Sequence, residues 1–219
     1  FYAGSCHDDI DDKDFANEMR LILWSLDRLI RQNSADLQAS VEIDEEKCRK
    51  CLTCIRTCPH GAVELEHGSR PIISALACLG CGLCVSSCPA LAIAFQDKDN
   101  KPLSDECPEA SITVFACKNS AAIAARHIQL DKRVHIQPVP CACSVSLNLL
   151  LRTLENGSEK IILATCHHEN CQSVKGHNTA MTRSRLLGKI PGIDPSYIAH
   201  FPVAAGESAR LESFLARQM

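Results

Sequence analysis

Eight cysteines carry the densest chemistry in this chain. Cys48, Cys51, Cys54 and Cys58 are followed 30 residues later by Cys78, Cys81, Cys84 and Cys88, each set spaced C-x2-C-x2-C-x3-C and closed by Pro59 or Pro89. Three thiolates at this spacing wrap one corner of a cuboidal iron-sulfur cluster, and the fourth, turned away by its proline, reaches a second cluster. The common offset of four cysteines and a proline marks an internal repeat in which each half supplies one cluster-binding unit. Cys48, Cys51, Cys54 and Cys88 are therefore expected to hold one [4Fe-4S] cluster, and Cys78, Cys81, Cys84 and Cys58 the other. Gly80 and Gly82 would let backbone N-H groups approach the sulfurs of the second cluster. A pair of zinc sites is the competing reading, but structural zinc sites group cysteines in twos around one tetrahedral ion. With the cysteine complement full, His60 and His67 read as solvent-exposed loop residues.

Five more cysteines gain meaning from the elements that precede them. Cys117 follows the apolar run at 112–115, Cys141 and Cys143 follow 134–139, and Cys166 and Cys171 follow 160–164. If those runs are parallel strands, all five thiols gather at the carboxyl edge of the sheet, where open α/β sheets place ligands. Cys117, Cys141, Cys166 and Cys171 are the set expected to hold a [2Fe-2S] cluster, with Cys143 as a substitute ligand. Spacing leaves open a zinc site, a redox dithiol from Cys166 and Cys171, or buried thiols without metal. His167 and His168 could replace thiolate in a Rieske-like arrangement; a hydrogen bond from His167 to a cluster sulfur, or solvent exposure, is the alternative. Arg183 and Arg185 could offset the charge of a reduced cluster or sit on the surface. Cys6 and Cys107 are left as small core or loop residues.

These sites need two architectures to position them. Residues 41–98 read as an α+β two-cluster ferredoxin domain, with strands at 41–44, 63–65 and 93–95 and one helical turn after each Cys-Pro. Such a small unit buries little hydrocarbon and depends on its clusters for stability. The polar stretch 99–110 reads as a linker. Residues 111–219 then alternate strands (112–115, 134–139, 160–164, 197–203) with helices (121–129, 145–155, 179–187, 207–217), the pattern of an α/β domain with a mostly parallel sheet. Residues 1–40 read as the end of a flavoprotein-like domain or a helical extension, with an acidic entry at Asp8–Asp14 and an amphipathic helix over 14–32 in which Trp24 packs.

Composition narrows the class. Fifteen cysteines in 219 residues, an odd number at cluster spacing, argue for metal ligation in a reducing compartment and hence the cytoplasm. No run approaches the length of a membrane span, and the opening lacks the basic-then-apolar order of an export signal. A net charge of -3 and 4% aromatic content provide neither a phosphate-tracking surface nor a stacking platform, so nucleic acid is not an expected partner.

The carboxyl-terminal motifs resemble a known family. Pro140-Cys141-Ala142-Cys143-Ser144-Val145, then Cys166-His167-His168-Glu169-Asn170-Cys171 and Gly176-His177-Asn178, are similar to the delta subunit of methyl-viologen-reducing hydrogenase, an iron-sulfur adaptor. Cys143 stands in a glycine position of that motif, Ser144 in its arginine position and Thr165 in the glycine position before Cys166. His177 interrupts a Gly-Asn pair, and Ser120 stands where a second cysteine often follows Cys117. The order of parts resembles the A component of heterodisulfide reductase, in its carboxyl-terminal part, fused to such a delta subunit, and is similar to the B component of the quinone-interacting oxidoreductase. The resemblance implies an electron relay between a hydrogenase or formate dehydrogenase type donor and a heterodisulfide reductase-like flavin or disulfide acceptor, not catalytic alone. FAD would enter only with a further amino-terminal domain, since no G-x-G-x-x-G occurs here. Two other classes compete: a ferredoxin-fed thiol-disulfide reductase using Cys141, Cys143, Cys166 and Cys171, and a zinc-stabilised docking module.

Overall fold

The computed structural model describes residues 39–66, 70–96 and 111–219. The expectations for residues 1–38, for the linker and Cys107, and for His67 lie outside them. Ala39–Met219 forms one compact unit in which the ferredoxin part packs directly on the α/β part.

In the ferredoxin part, β1 (Val41–Ile43) pairs antiparallel with β4 (Ile93–Phe95), so the first and last strands close the unit, and β2 (Val63–Glu66) pairs with β3 (Arg70–Ile73). Sequence reading finds β2 by its alternation but not β3, whose Pro71 breaks the pattern. Two five-residue helices, α1 (Thr53–Thr57) and α2 (Leu83–Ser87), carry Cys54 and Cys84 inward. The expected helical turns thus precede each Cys-Pro, because the chain must curl while the third thiol is being aimed. Val41, Val63, Ile93 and Phe95 fill the small core together with Cys54 and Cys84.

The α/β part is built on a four-stranded, wholly parallel sheet in the order β6 (Val134–Val139), β5 (Ile112–Cys117), β7 (Lys160–Thr165), β8 (Ile198–Pro202). Every residue of β5 is buried, as a central strand covered on both faces requires. Alternate residues feed opposite cores. Val114 and Ala116 meet α3 (Ala121–Ala124) and α6 (Ser208–Ala216), whereas Phe115 and Leu163 meet α4 (Leu147–Glu155) and α5 (Gly176–Leu187). Ser146 caps α4 by accepting from the Leu149 N-H at 3.1 Å. The helix expected over 121–129 is shorter, with a 3-10 turn at Ala125–His127. No helix among the described residues is long and apolar enough to cross a membrane.

The two parts meet where α2 faces the turn Ala142–Ser144. Gly82 has φ +74°, and a Cβ there would lie 2.3 Å from the Phe95 ring and 2.6 Å from Ser144 Cβ. Gly82→Ala should therefore cost roughly 2 kcal/mol or more, from left-handed strain plus overpacking, read as a lower denaturation midpoint.

A second expectation concerns pH. Burial first, then His177 and Arg185, press the His200 imidazole down to about 4. The unfolded chain binds a proton near pH 6.5 that the folded chain refuses until about 4, so stability should fall as pH drops through that window and level off below it. His200→Gln should flatten this fall in a chemical-denaturation series from pH 7 to 4.

Candidate metal centres

The repeat in sequence is a repeat in backbone. Lys50 and Leu52 adopt φ of 52° and 59°, and their counterparts Gly80 and Gly82 adopt 63° and 74°. Left-handed residues at both positions turn successive peptide groups around one point, which is what three thiols at C-x2-C-x2-C spacing need. Glycine stands in the second half because space is short there: a Cβ on Gly80 would lie 2.8 Å from Ser40 Oγ, and Gly82 is crowded as described. The Ala62 N-H donates to Cys58 Sγ at 3.4 Å and the Ala92 N-H to Cys88 Sγ at 3.3 Å, a matched pair of backbone bonds to the fourth sulfurs.

Cys58 from the first half joins Cys78, Cys81 and Cys84 from the second around one cavity, otherwise walled largely by apolar side chains such as Val41, Val63 and Leu83. Burial and the neighbouring Cys81, Cys78 and Cys58 thiolates push the Cys84 thiol up to about 12. Iron is the kind of charge that would relieve such crowding. Cys48 and Cys51 act on Cys54 in the same sense, after burial. None of the thirteen described cysteines is in a disulfide.

At the α/β sheet edge the strand order reverses between β5 and β7, the switch point at which parallel sheets open a ligand crevice. Cys117 ends β5 and Cys166 follows β7, so both stand at that crevice. Cys117 is drawn down by Cys141, but Cys166 and burial outweigh this and leave it raised, which places three thiols within reach of one another. Cys171 completes the group: a Cβ on Gly176 would sit 2.5 Å from Cys141 Sγ and 3.1 Å from Cys171 Sγ. Among the described residues no three Cys, His, Asp or Glu side chains are placed to hold a single ion.

Cys143 adjoins the Cys141 thiol and faces the ferredoxin part. Fully buried, its Sγ donates to the Cys81 carbonyl at 3.5 Å, and the pair shares an apolar seam with Leu83 and Cys141. Donation from Cys143 holds the Cys81 thiol low, while Cys141, Cys81 and burial push Cys143 up. Ser86 Oγ donates to the Cys143 carbonyl at 2.6 Å, and Arg183 fastens the same turn with bonds to the Cys143 carbonyl (2.5 Å), the Val145 carbonyl (2.8 Å) and Ser87 Oγ (3.3 Å). Arg183 is thus partly buried at the seam, whereas Arg185 is exposed. Arg183 approaches from α5 beside Ser144, the position where the resembled motif has its arginine.

His168 is exposed and His167 partly so, in line with the solvent-exposed alternative; His167 Nε2 is 2.8 Å from Glu207 Oε2, and Asn178 Nδ2 lies 3.0 Å from His168 Nε2. Glu207 competes well for His167: the Ala204 N-H, His167 and Arg210 hold its carboxyl down at about 2. His177, which sequence reading took only as an interruption of Gly-Asn, is buried with Nδ1 2.8 Å from the Cys166 carbonyl, fixing the loop that aims Cys166. The expectation of a solvent-exposed His60 needs correction. Its ring is half-buried in the four-cysteine cavity, because Pro59 turns the chain inward there.

Among the described residues three buried side-chain polar atoms lack a hydrogen-bond partner: His60 Nε2, Ser120 Oγ and Ser144 Oγ. His60 lines the Cys58 cavity, Ser120 closes the turn that Cys117 opens, and Ser144 lies on the seam. Unbonded polar atoms are rare in interiors, and their concentration beside the cysteine groups fits sites built around sulfur-rich cofactors.

Residues 112–218 match the family described as methyl-viologen-reducing hydrogenase, delta subunit, and residues 47–93 match the 4Fe-4S dicluster domain. The chain is 38% identical over 78 residues to an archaeal-type NADPH glutamate synthase of Thermotoga maritima, covering 34% of this chain and 15% of that protein. Over most of its length, 190 residues and 78% of the chain, it is similar at 25% identity to the A component of the ferredoxin:CoB-CoM heterodisulfide reductase of Methanosarcina mazei, spanning 24% of that polypeptide. It is also 41% identical over 51 residues to pyruvate synthase subunit PorD of Methanothermobacter marburgensis, which covers 23% of this chain and 58% of that subunit. The chain thus spans only part of each of these relatives.

Gly176→Ala tests whether the third group binds iron: its methyl would press on Cys141 and Cys171, so if these thiols are ligands the iron bound per chain should fall by the share of that site alone, and an unchanged iron content would rule them out.

Proposed function

We propose that this chain, which carries a 4Fe-4S dicluster domain and a hydrogenase delta-subunit domain, is an iron-sulfur relay with two [4Fe-4S] sites and one [2Fe-2S] site in line. The observation that carries this reading is an asymmetry between repeat mates. Cys51 is exposed, whereas Cys81, its equivalent 30 residues on, is buried against Cys141 and Cys143. The set Cys48, Cys51, Cys54 and Cys88 would thus meet the outside, and the set Cys78, Cys81, Cys84 and Cys58 would meet the third set, Cys117, Cys141, Cys166 and Cys171. When bound by four thiolates, such clusters exchange single electrons and leave no coordination position open for substrate.

The residues between the sites serve passage. The bond from Cys143 to the Cys81 carbonyl ties the turn that carries Cys141 to the second cysteine set, and Arg183 with Ser86 keeps that turn fixed on α2. Arg183 also brings a positive charge to the seam, where added electrons would make the thiolate-rich sites more negative. Cys143 facing Cys81 favours Cys171 as the fourth ligand of the third site. The matched family's description favours a hydrogenase-type donor and the similarity to the heterodisulfide reductase A component favours an acceptor of that kind, with a formate dehydrogenase-type donor resting on the motif resemblance alone.

Iron and acid-labile sulfide on anaerobically purified protein should come to about ten irons per chain, from two four-iron and one two-iron sites. EPR after dithionite reduction should show a [2Fe-2S] signal that is lost in Cys166→Ser. About eight irons with zinc or a titratable disulfide in the carboxyl-terminal part would remove the third site from the relay.

A further inference from the structure

We propose that His60 donates a hydrogen bond from Nε2 to a sulfur of the group held by Cys58, Cys78, Cys81 and Cys84, and so sets the potential of this site above that of its repeat mate. The inference rests on the relay reading and goes beyond it by naming what makes two duplicated sites unequal.

Two observations converge. His60 Nε2 is buried without a partner. Its ring lines the same cavity as all four cysteines, whose other walls include Val41, Val63, Ile73 and Leu83 and offer a donor no side-chain acceptor except sulfur. A buried N-H left unpaired is costly, and the acceptors this cavity could offer it are the cysteine sulfurs and the inorganic sulfides they would surround.

The repeat supplies an internal control. Cys58-Pro59-His60 in the first half corresponds to Cys88-Pro89-Ala90 in the second. Backbone donors to the fourth sulfurs are matched, Ala62 to Cys58 and Ala92 to Cys88, so they cannot separate the two sites. The imidazole does separate them, since alanine has no donor. A hydrogen bond to a cluster sulfur is stronger when the cluster carries one more electron, so it favours the reduced form and raises the potential. The site with the histidine is also the one at the seam, so His60 would draw electrons from the exposed site toward Cys81. The proton stays on Nε2 throughout; only its hydrogen bond strengthens.

EPR-monitored redox titration at one pH, on iron-replete full chain, tests this in wild type, His60→Phe and His60→Gln. Removing the donor with Phe should lower the midpoint of one [4Fe-4S] site and leave the other in place, and Gln, which keeps an N-H, should restore part of the shift. Coincident titrations of Phe and wild type, or equal shifts of both sites, would overturn the proposal. If His60→Phe does not take up iron, pulsed EPR on wild type labelled with 15N-histidine decides: a nitrogen coupling on one [4Fe-4S] signal supports the bond, and its absence sinks it. Protein that shows no [4Fe-4S] signal at all would instead refute the relay reading.

Discussion

Three thiols separated by two residues each can face one point only if the backbone between them turns left-handed, and the rest of the ferredoxin part follows from that constraint. The first half meets it with Lys50 and Leu52, both bearing a side chain at positive φ, which costs on the order of 1 kcal/mol or more apiece. Such strain persists where surroundings over-determine it, and α1 and α2, packed on each other, supply part of that constraint. The strands are short and the core small, so little hydrocarbon opposes the strain. Bound metal is the natural source of the remaining stability, as in other small metal domains.

The α/β part solves a different problem with ordinary means. A wholly parallel sheet brings the ends of all strands to one edge, and the order β6-β5-β7-β8 opens a crevice between β5 and β7. Cysteines from three distant segments meet there without any local spacing rule, which is why their signature in sequence is loose. Gly176 marks the closeness of the approach: it starts α5 where no side chain fits between Cys141 and Cys171. The same turn that delivers Cys141 delivers Cys143, one face toward the crevice and one toward the ferredoxin part.

How much of this was legible depends on whether the signal is local. The eight repeat cysteines, the meeting of Cys58 with Cys78, Cys81 and Cys84, and the alternation of strand and helix after residue 111 are written in spacing and periodicity, and the sheet follows the predicted order of elements with shifts of a few residues. The seam is not. Ser86, Ser87, Cys143 and Arg183 come from three elements, and nothing in their local sequence announces that they meet. Histidines were the least readable. His167 and His168 drew attention because they adjoin Cys166, yet Glu207, 40 residues on, takes His167, while His177 supports the Cys166 carbonyl. A full cysteine complement leaves His60 no vacancy as a ligand, but that is an argument about coordination and says nothing about hydrogen bonds to sulfur.

A duplicated unit starts with two equivalent sites, and equivalence gives an electron no reason to move one way. Packing one half against another domain breaks the equivalence in several respects at once. It buries Cys81 while Cys51 remains exposed, it requires glycine at position 82 where Leu52 suffices in the first half, and it brings the Arg183 cation to one side only. Burial alone, by removing water from an anionic site, would lower the potential of the inner site and set it against inward flow. A cation and hydrogen-bond donors at the seam act in the opposite sense. On the relay proposed above, the residues that cover the second site would thus offset the cost of covering it, so that compactness need not make the path uphill.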